Sequence, residues 1–390
     1  MRSSDIDKQL AVIKRGAVEI ISEQELRKKL ENSAKSGKPL VIKVGFDPTA
    51  PDIHLGHTVL LRKMRQFQDL GHRVVFLIGD FTGRIGDPTG RSEIRKQLTR
   101  EEVLKNAATY KKQISKILDM GKIRIVFNSE WFDKMQGLEF GNLLTHYTAT
   151  RLLERDDFTQ RRKDKKPIYM SEFIYPILQG YDSVVLKADI ELGGTDQKFN
   201  LLVGRDIQKD FGQEEQVVIT MPLLEGTDGV QKMSKSYANY IGINEPANEM
   251  FGKLMSISDT LMLKYYELLT DIDLDSVKAM HPKEAKMKLA EEIIAQYHSR
   301  KDAEGARREF ERIFSNKELP QEMPEYRMQA GESILSILTK SGLVKSGNEA
   351  RRLIEQGAVF FNDGKIEKEN FVPQEGGVVK AGSRRFLKII

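Results

Sequence analysis

Over the first half of the chain the apolar positions follow two alternating rhythms. From Lys38 the stretch KPLVIKVGFD is a near-continuous apolar run of strand length, and HRVVFLIGDF from His72 is another. Between them TVLLRKMRQFQDLG sets Leu60, Met64 and Phe67 at helical spacing and ends on Gly71, a residue suited to close a helix. Strand, helix and strand in that order make a right-handed parallel unit. KIRIVFNS and QVVITMPLL supply further strands, and helices are predicted over roughly 101–119 and 171–183. The pattern predicts an α/β domain with a doubly wound parallel sheet, reaching to about residue 225.

The rhythm then changes. PANEMFGKLMSI, DTLMLKYYELLT, PKEAKMKLAEEIIAQYHS and AEGARREFERIF carry apolar residues at helix spacing with no strand run between them, so residues up to 314 read as helical. SNKELPQEMPEYRMQAGE holds two prolines among polar residues and reads as a linker over 315–330. In the tail, Ser346 and Glu349 form a predicted capping box, Gly357 ends that helix, and Asp363 with Gly364 marks a hairpin turn. GGVVKAGSRRFLKII adds strand, which makes 331–390 a small α+β module.

The chain has 390 residues, 39% hydrophobic and 31% charged, an ordinary balance for a soluble globular protein of two or three domains. No apolar run is long enough to span a bilayer, and the first residues lack the uninterrupted apolar core of a signal peptide, so a cytoplasmic location is expected. Cysteine is absent, which excludes disulfides and thiolate metal sites, and the six histidines form no ligand cluster, so no structural metal is expected. A net charge of +5 permits a polyanionic partner without demanding one.

Candidate chemistry concentrates in four segments. If the first strand ends near Asp47, PTAPDIHLGH is the loop at its carboxyl end and leads into a helix amino terminus, where open parallel sheets bind ligands and free N–H groups favour anions. His54 and His57 would point into that crevice, and the missing side chain at Gly56 lets a flat ring approach the backbone. In DGVQKMSKSYANY, Asp228 and Gly229 make a tight turn and a serine-rich loop carries Lys232 and Lys235. GDFTGRIGDPTGRSEIR lacks the glycine spacing of a P-loop; its Asp87 can accept from an ammonium group, and Arg91 and Arg95 can reach phosphate, including that of RNA. EFIYPILQGYDSVV places Tyr175, Gln179 and Asp182 on one helix face, either a core network or a grip on a ligand. Each segment alone also reads as a capped helix start, a solvated loop or a glycine-rich turn.

HLGH after the first strand and KMSKS after the last together resemble the signature of class I aminoacyl-tRNA synthetases. With GFDPTAPDIHLGH, GDFTGRIGDPTG, YPILQGYD and GGTDQKFN, the chain looks like a bacterial tyrosyl-tRNA synthetase over nearly its whole length. That resemblance implies a Rossmann-like catalytic domain over 1–225, with an N-terminal helical extension and an insertion at about 120–170. It implies the KMSKS loop and a helical anticodon-side domain over 226–314, and an RNA-binding module over 331–390. It implies that Asp87, Tyr175 and Gln179 hold the amino group of L-tyrosine, Asp182 its hydroxyl and Gln197 its carboxylate. Gly194 and Asp196 would lie near the adenosine ribose, with Asp47 and Gly56 also in the ATP site. His54, His57, Thr49, Lys232 and Lys235 would serve ATP and pyrophosphate, with magnesium carried on the nucleotide. Attack of a carboxylate on the α-phosphate of ATP needs positioning and positive donors rather than a covalent partner, which suits histidines at a helix terminus and lysines on a loop.

Partners follow from the same resemblance: tRNA(Tyr), and a second copy of the chain through the apolar side chains of the insertion. Arg351, Arg352, Arg384 and Arg385 in the tail are candidate RNA contacts, and the basic run 161–166 either touches the tRNA acceptor end or is a solvated loop. One position departs from the family pattern: where many members carry a tyrosine that donates to the substrate phenol, this chain has Lys43. The competing readings are tryptophan activation on the same fold, and an RNA-binding or assembly protein with a vestigial site.

Overall fold

The computed structural model describes residues 3–48, 52–87, 99–314, 323–329, 331–382 and 385–390. The chain divides into two compact units, Met1–Ala303 and Glu304–Ile390. In the first, β1 (Glu19–Ile21), β2 (Val41–Phe46), β3 (Arg73–Ile78), β4 (Ile123–Phe127), β5 (Ile190–Gly194) and β6 (Val217–Met221) make one sheet in the order β1-β6-β5-β2-β3-β4. From β2 to β6 all pairings are parallel, as the alternating pattern predicts. Every residue of β5 and β6 is buried, the signature of strands covered on both faces. The departure is β1, which pairs antiparallel with β6 and places Glu19 opposite Thr220. This short strand from the N-terminal extension covers an edge that would otherwise be open to pairing.

Two helices of the first unit differ from the predicted spans only at their ends. Leu55–Asp69 buries Leu61, Met64 and Phe67. Its Lys63, also buried, donates to the carbonyls of Val12, Ile13 and Arg15 and so satisfies the end of the N-terminal helix Ser3–Lys14. Met170–Leu186 closes on Lys187 in the left-handed region, at φ 48°. It crosses the helix Lys198–Asp210 at a pair of glycines: a Cβ on Gly180 would stand 3.2 Å from the Gly204 Cα and 2.8 Å from the Ile207 side chain. The backbones touch there, which fixes how deeply Met170–Leu186 sits. The helix predicted over 101–119 is Arg100–Ile114; beyond it Lys116 N and Ile117 N bond three residues back and turn the chain.

The helices Ala247–Met255, Asp259–Leu269 and Pro282–Tyr297 belong to the same compact unit as the sheet, and Asp259–Leu269 packs on Leu55–Asp69. The first unit therefore continues past residue 225, where the change from alternating strands and helices to helices alone suggested a boundary.

In the second unit β7 (Glu325–Tyr326), β8 (Val359–Phe361), β9 (Gly364–Lys365), β10 (Gly377–Ala381) and β11 (Arg385–Ile389) form a sheet in the order β7-β11-β10-β8-β9. Within the expected linker 315–330, β7 pairs in parallel with β11, Glu325 opposite Lys388, so residues 325–326 belong to the module. Ile334, Ile337, Leu338, Ile354, Val379 and Leu387 share its core. Ser346 caps Gly347–Glu355 as predicted by accepting from Glu349 N, but the Glu349 carboxylate accepts from Lys345 N, one residue before the expected partner. The hairpin turn also shifts by one: Asn362 and Asp363 hold the positive φ angles, 45° and 65°, and Gly364 already opens β9.

Gly180→Ala should lower stability by about 1–3 kcal/mol, because backbone cannot give way as a flexible side chain would. A thermal scan should show the loss in the transition of the first unit only; an unchanged transition would mean the two helices are not in fixed contact.

Candidate active site

Chain order reverses between β2 and β5: β3 and β4 build outward from β2 before the chain returns to place β5 on its other side. Connections leave the two strand ends in opposite directions, and the gap between them is where α/β sheets bind ligands. A cleft of about 510 Å³ opens there. Asp47 enters it from the end of β2, and Gly194 from the end of β5. His54, Gly56 and His57 come from the start of Leu55–Asp69, and Tyr175, Gln179 and Asp182 from Met170–Leu186. Asp87, Asp196, Gln197, Lys232 and Lys235 complete the lining. The predicted amino-acid and ATP residues thus share one cavity, except Thr49, which lies outside the described residues, as do Arg91, Arg95 and Arg384.

One end of the cleft is built around carboxylates. Asp182, 1% exposed, accepts from the Trp131 indole at 3.0 Å and the Asn128 amide at 3.4 Å. Burial pushes its carboxyl up to about 7, against the pull of Lys43, Asn128 and Trp131. Tyr175 donates its hydroxyl to Asp47 at 2.9 Å, and Thr82 donates to the other Asp47 oxygen at 2.8 Å. Burial, with Asp47 and Asp87 nearby, holds the Tyr175 phenol well above its ordinary value, so it stays neutral. Gln197 donates to Asp87 at 2.8 Å. The absence of a side chain at Gly79 makes room for the Asp47 carboxylate: a Cβ there would lie 2.0 Å from it and force it to move.

The other end is built around nitrogen donors. The rings of His54 and His57 stack with centroids 3.8 Å apart. His57 Nδ1 accepts from the His54 backbone N–H at 3.2 Å, which leaves Nε2 as its donor. The bare Gly56 lets a ring approach the backbone as expected, although the ring that comes close is the chain's own: a Cβ would stand 3.0 Å from the His54 imidazole. Burial, then the neighbouring ring and Lys235, pushes His54 down to about 2, and burial with Lys235 pushes His57 down to about 4. This corrects the expectation of positive histidines. They are neutral N–H donors, and positive charge at this end comes from the lysines.

Both lysines are held by acids. Lys235 donates to Asp52 at 2.5 Å and Lys232 to Asp196 at 3.2 Å. The loop is further seated by Met233, whose sulfur accepts from Gly56 N at 3.3 Å. Asp52, Thr82, Asn128 and Trp131 were missed from sequence. The position of Asp52 two residues before His54 and the rarity of Trp131, the chain's one tryptophan, are signals that could have found those two; Thr82 and Asn128 carry none.

Other predicted contacts separate. Arg351 and Arg352 are exposed on Gly347–Glu355, with Arg351 donating to Glu369. Arg385 donates to Leu343 O and Glu349 within its module while its side chain stays partly exposed. In the basic run, Arg161 is buried and paired with Glu172 at 2.5 Å, so it is neither a solvated charge nor an RNA contact. Among the described residues no three His, Cys, Asp or Glu side chains are grouped to hold a metal ion, and no helix is long and apolar enough to cross a membrane.

Comparison with known proteins narrows the class. Residues 35–315 match the family model of tRNA synthetases class I (W and Y). Solved structures with the same fold include a tyrosyl-tRNA synthetase from Archaeoglobus fulgidus in complex with L-tyrosine, at TM-score 0.63 and 24% identity, covering 77% of this chain and 99% of that one. A truncated mitochondrial tyrosyl-tRNA synthetase from Aspergillus nidulans aligns at TM-score 0.64 and 21% identity, over 80% of this chain and 95% of that one. The tyrosine–tRNA ligase of Carboxydothermus hydrogenoformans is 57% identical over 100% of this chain and 99% of its own length. That of Geobacter sulfurreducens is 57% identical over 98% of each. The chain belongs to the class I tRNA synthetases of the W and Y type and, within them, to the tyrosine–tRNA ligase family.

Histidine-selective NMR should show His54 and His57 without titration from about pH 5.5 to 8. The unfolded chain takes up protons near the ordinary value of 6.5, whereas folded His57 does so only near 4. Stability from this pair is therefore complete above 6.5 and falls as pH drops below it. A ring titrating near neutrality would place a cation where the structure has a neutral donor.

Proposed function

We propose that the chain activates L-tyrosine with ATP to tyrosyl-adenylate and transfers the tyrosyl group to the 3′-terminal adenosine of tRNA(Tyr). The observation that carries this reading is a single cleft with a buried carboxylate, Asp182, at one end and imidazole and lysine donors at the other. Tyrosine lies between them, its hydroxyl donating to Asp182 and its ammonium group held by Asp87, Gln179 and the Tyr175 oxygen. Gln197 steadies the tyrosine carboxylate. ATP enters with magnesium on its phosphates, ribose toward Gly194 and Asp196. A tyrosine carboxylate oxygen bonds to the α-phosphorus as the bond to the β-phosphate oxygen breaks, and pyrophosphate leaves. The neutral N–H groups of His54 and His57 and the ammonium groups of Lys232 and Lys235 stabilise the charge that builds on the transferring phosphate and on pyrophosphate. A terminal adenosine hydroxyl of the tRNA then attacks the tyrosyl carbonyl and AMP departs.

Arg351 and Arg352 in the second unit contact the tRNA backbone. A symmetric dimer through the segment 120–170 belongs to the same reading, supported by the exposed apolar side chains Leu138 and Met170. A cytoplasmic location fits a chain that charges tRNA.

ATP–pyrophosphate exchange run with each amino acid in turn should respond to tyrosine; exchange driven by tryptophan would overturn the assignment, and exchange with none would point to a vestigial site. Replacing Lys235 with alanine should slow adenylate formation by about 10²–10³-fold with little effect on tyrosine affinity. An unaltered rate would remove the loop from the chemistry. The double substitution Arg351→Ala with Arg352→Ala should leave exchange intact, weaken tRNA charging and flatten its salt dependence. Equal charging by the two proteins would remove these arginines from the RNA interface.

A further inference from the structure

A charged network lies beneath the phenol end of the cleft. Lys43 is central in β2 and 0% exposed, and it pairs with Glu191 of β5, 1% exposed, at 2.9 Å. The same ammonium group donates to the Gln179 carbonyl at 3.0 Å and to Ser183 Oγ at 2.8 Å. With Glu191 these make three acceptors for three N–H bonds, so Lys43 has no donor left for a substrate. Glu191 is equally committed, accepting from Ser183 at 3.0 Å and Gln216 at 2.5 Å. Gln179 and Ser183 flank Asp182 on Met170–Leu186. The ammonium group is thus moored under the turn of helix that presents the phenol acceptor.

We propose that Lys43, balanced by Glu191, is the positioning residue that fixes the place and the charge of Asp182, and through it the preference for tyrosine over phenylalanine. The inference rests on the tyrosine-activating reading above. A buried carboxylate must be ionised to accept strongly from a phenol, yet burial opposes its charge. Lys43 favours the ionised form and Glu191 opposes it, while Asn128 and Trp131 contribute uncharged donors. Tyr175 on the same helix is neutral, and Asp47 and Asp87 face it across the cleft. The position that lacks a phenol-donating tyrosine therefore acts at one remove: it supplies charge in place of a hydrogen bond.

Opposite charges at one spot predict opposite shifts, which a purely structural role does not. For the unaltered full-length protein, KM for tyrosine in ATP–pyrophosphate exchange should be flat above neutral pH and rise as pH falls through about 7, where Asp182 takes up a proton. Glu191→Gln should move that break down by about one pH unit, and Lys43→Met should move it up by about as much. The double variant should return close to the starting value. Plateau kcat should change much less than KM, and KM for phenylalanine should not rise as pH falls through the break, since it has no phenol to donate and leaves an ionised Asp182 unpaired.

Lys43→Met leaves Glu191 buried and unpaired and is the variant at risk of misfolding. Glu191→Gln is milder, because the Gln216 Oε1, buried without a hydrogen-bond partner, can turn to receive the new amide. If Lys43→Met does not fold, the downward shift in Glu191→Gln and the return in the double variant decide the matter. A break that stays fixed, or moves the same way in both single variants, would overturn the role of Lys43 while tyrosine-dependent exchange stands. Absence of that exchange in the unaltered protein would remove the functional reading and this inference together.

Discussion

Divergence of the chain at the ends of β2 and β5 is the constraint from which the rest of the first unit follows. Two neighbouring parallel strands cannot both be covered at their carboxyl ends when their connections leave in opposite directions, so the sheet must open a gap there. Asp47 follows the end of one strand and Gly193 and Gly194 end the other, and all three line the gap. Leu55–Asp69 presents its amino terminus to the same gap, and the helix dipole adds partial positive charge where the neutral imidazoles point. Polarity in the cleft, acid at one end and donors at the other, is therefore a property of topology before it is a property of individual side chains.

Close packing turns that gap into a site with definite dimensions. The glycine contact between Met170–Leu186 and Lys198–Asp210 sets the depth of the helix that carries Tyr175, Gln179 and Asp182. Lys43 ties the same helix to the sheet through the Gln179 carbonyl. At the opposite end, Leu55 N donates to Ile241 O and Ile243 N to Ile53 O, so the segment after the KMSKS loop is hydrogen-bonded to the segment of the two histidines. The loop itself is held by long charged side chains whose partners, Asp52 and Asp196, stand on the fixed walls. Ion pairs of this exposure contribute little to stability, so they hold the loop only weakly.

The residues that carry sharp local patterns were legible in the sequence. HLGH and KMSKS, the apolar strand runs and the helix face of Tyr175, Gln179 and Asp182 all stand where the pattern put them, and every described member of the amino-acid and ATP sets lines one cleft. Long-range pairing was not legible. Lys43 and Glu191 are 148 positions apart, and β1 has only three residues, so neither produces a periodic signal. Histidine charge was misjudged because burial, which decides it, is a tertiary property. The boundary at 225 rested on the change of hydrophobic rhythm and the linker through β7 on composition, and neither reveals that Asp259–Leu269 packs on Leu55–Asp69 or that Glu325 pairs with Lys388.

The placement of substrate along this polar axis is tested most directly by a crystal structure with a non-hydrolysable sulfamoyl analogue of tyrosyl-adenylate. The phenol oxygen should lie about 2.7 Å from the Asp182 carboxylate, with the ribose at Asp196 and the sulfamoyl group beside His54 and His57. An analogue bound in the reverse sense, or outside the gap between β2 and β5, would contradict it.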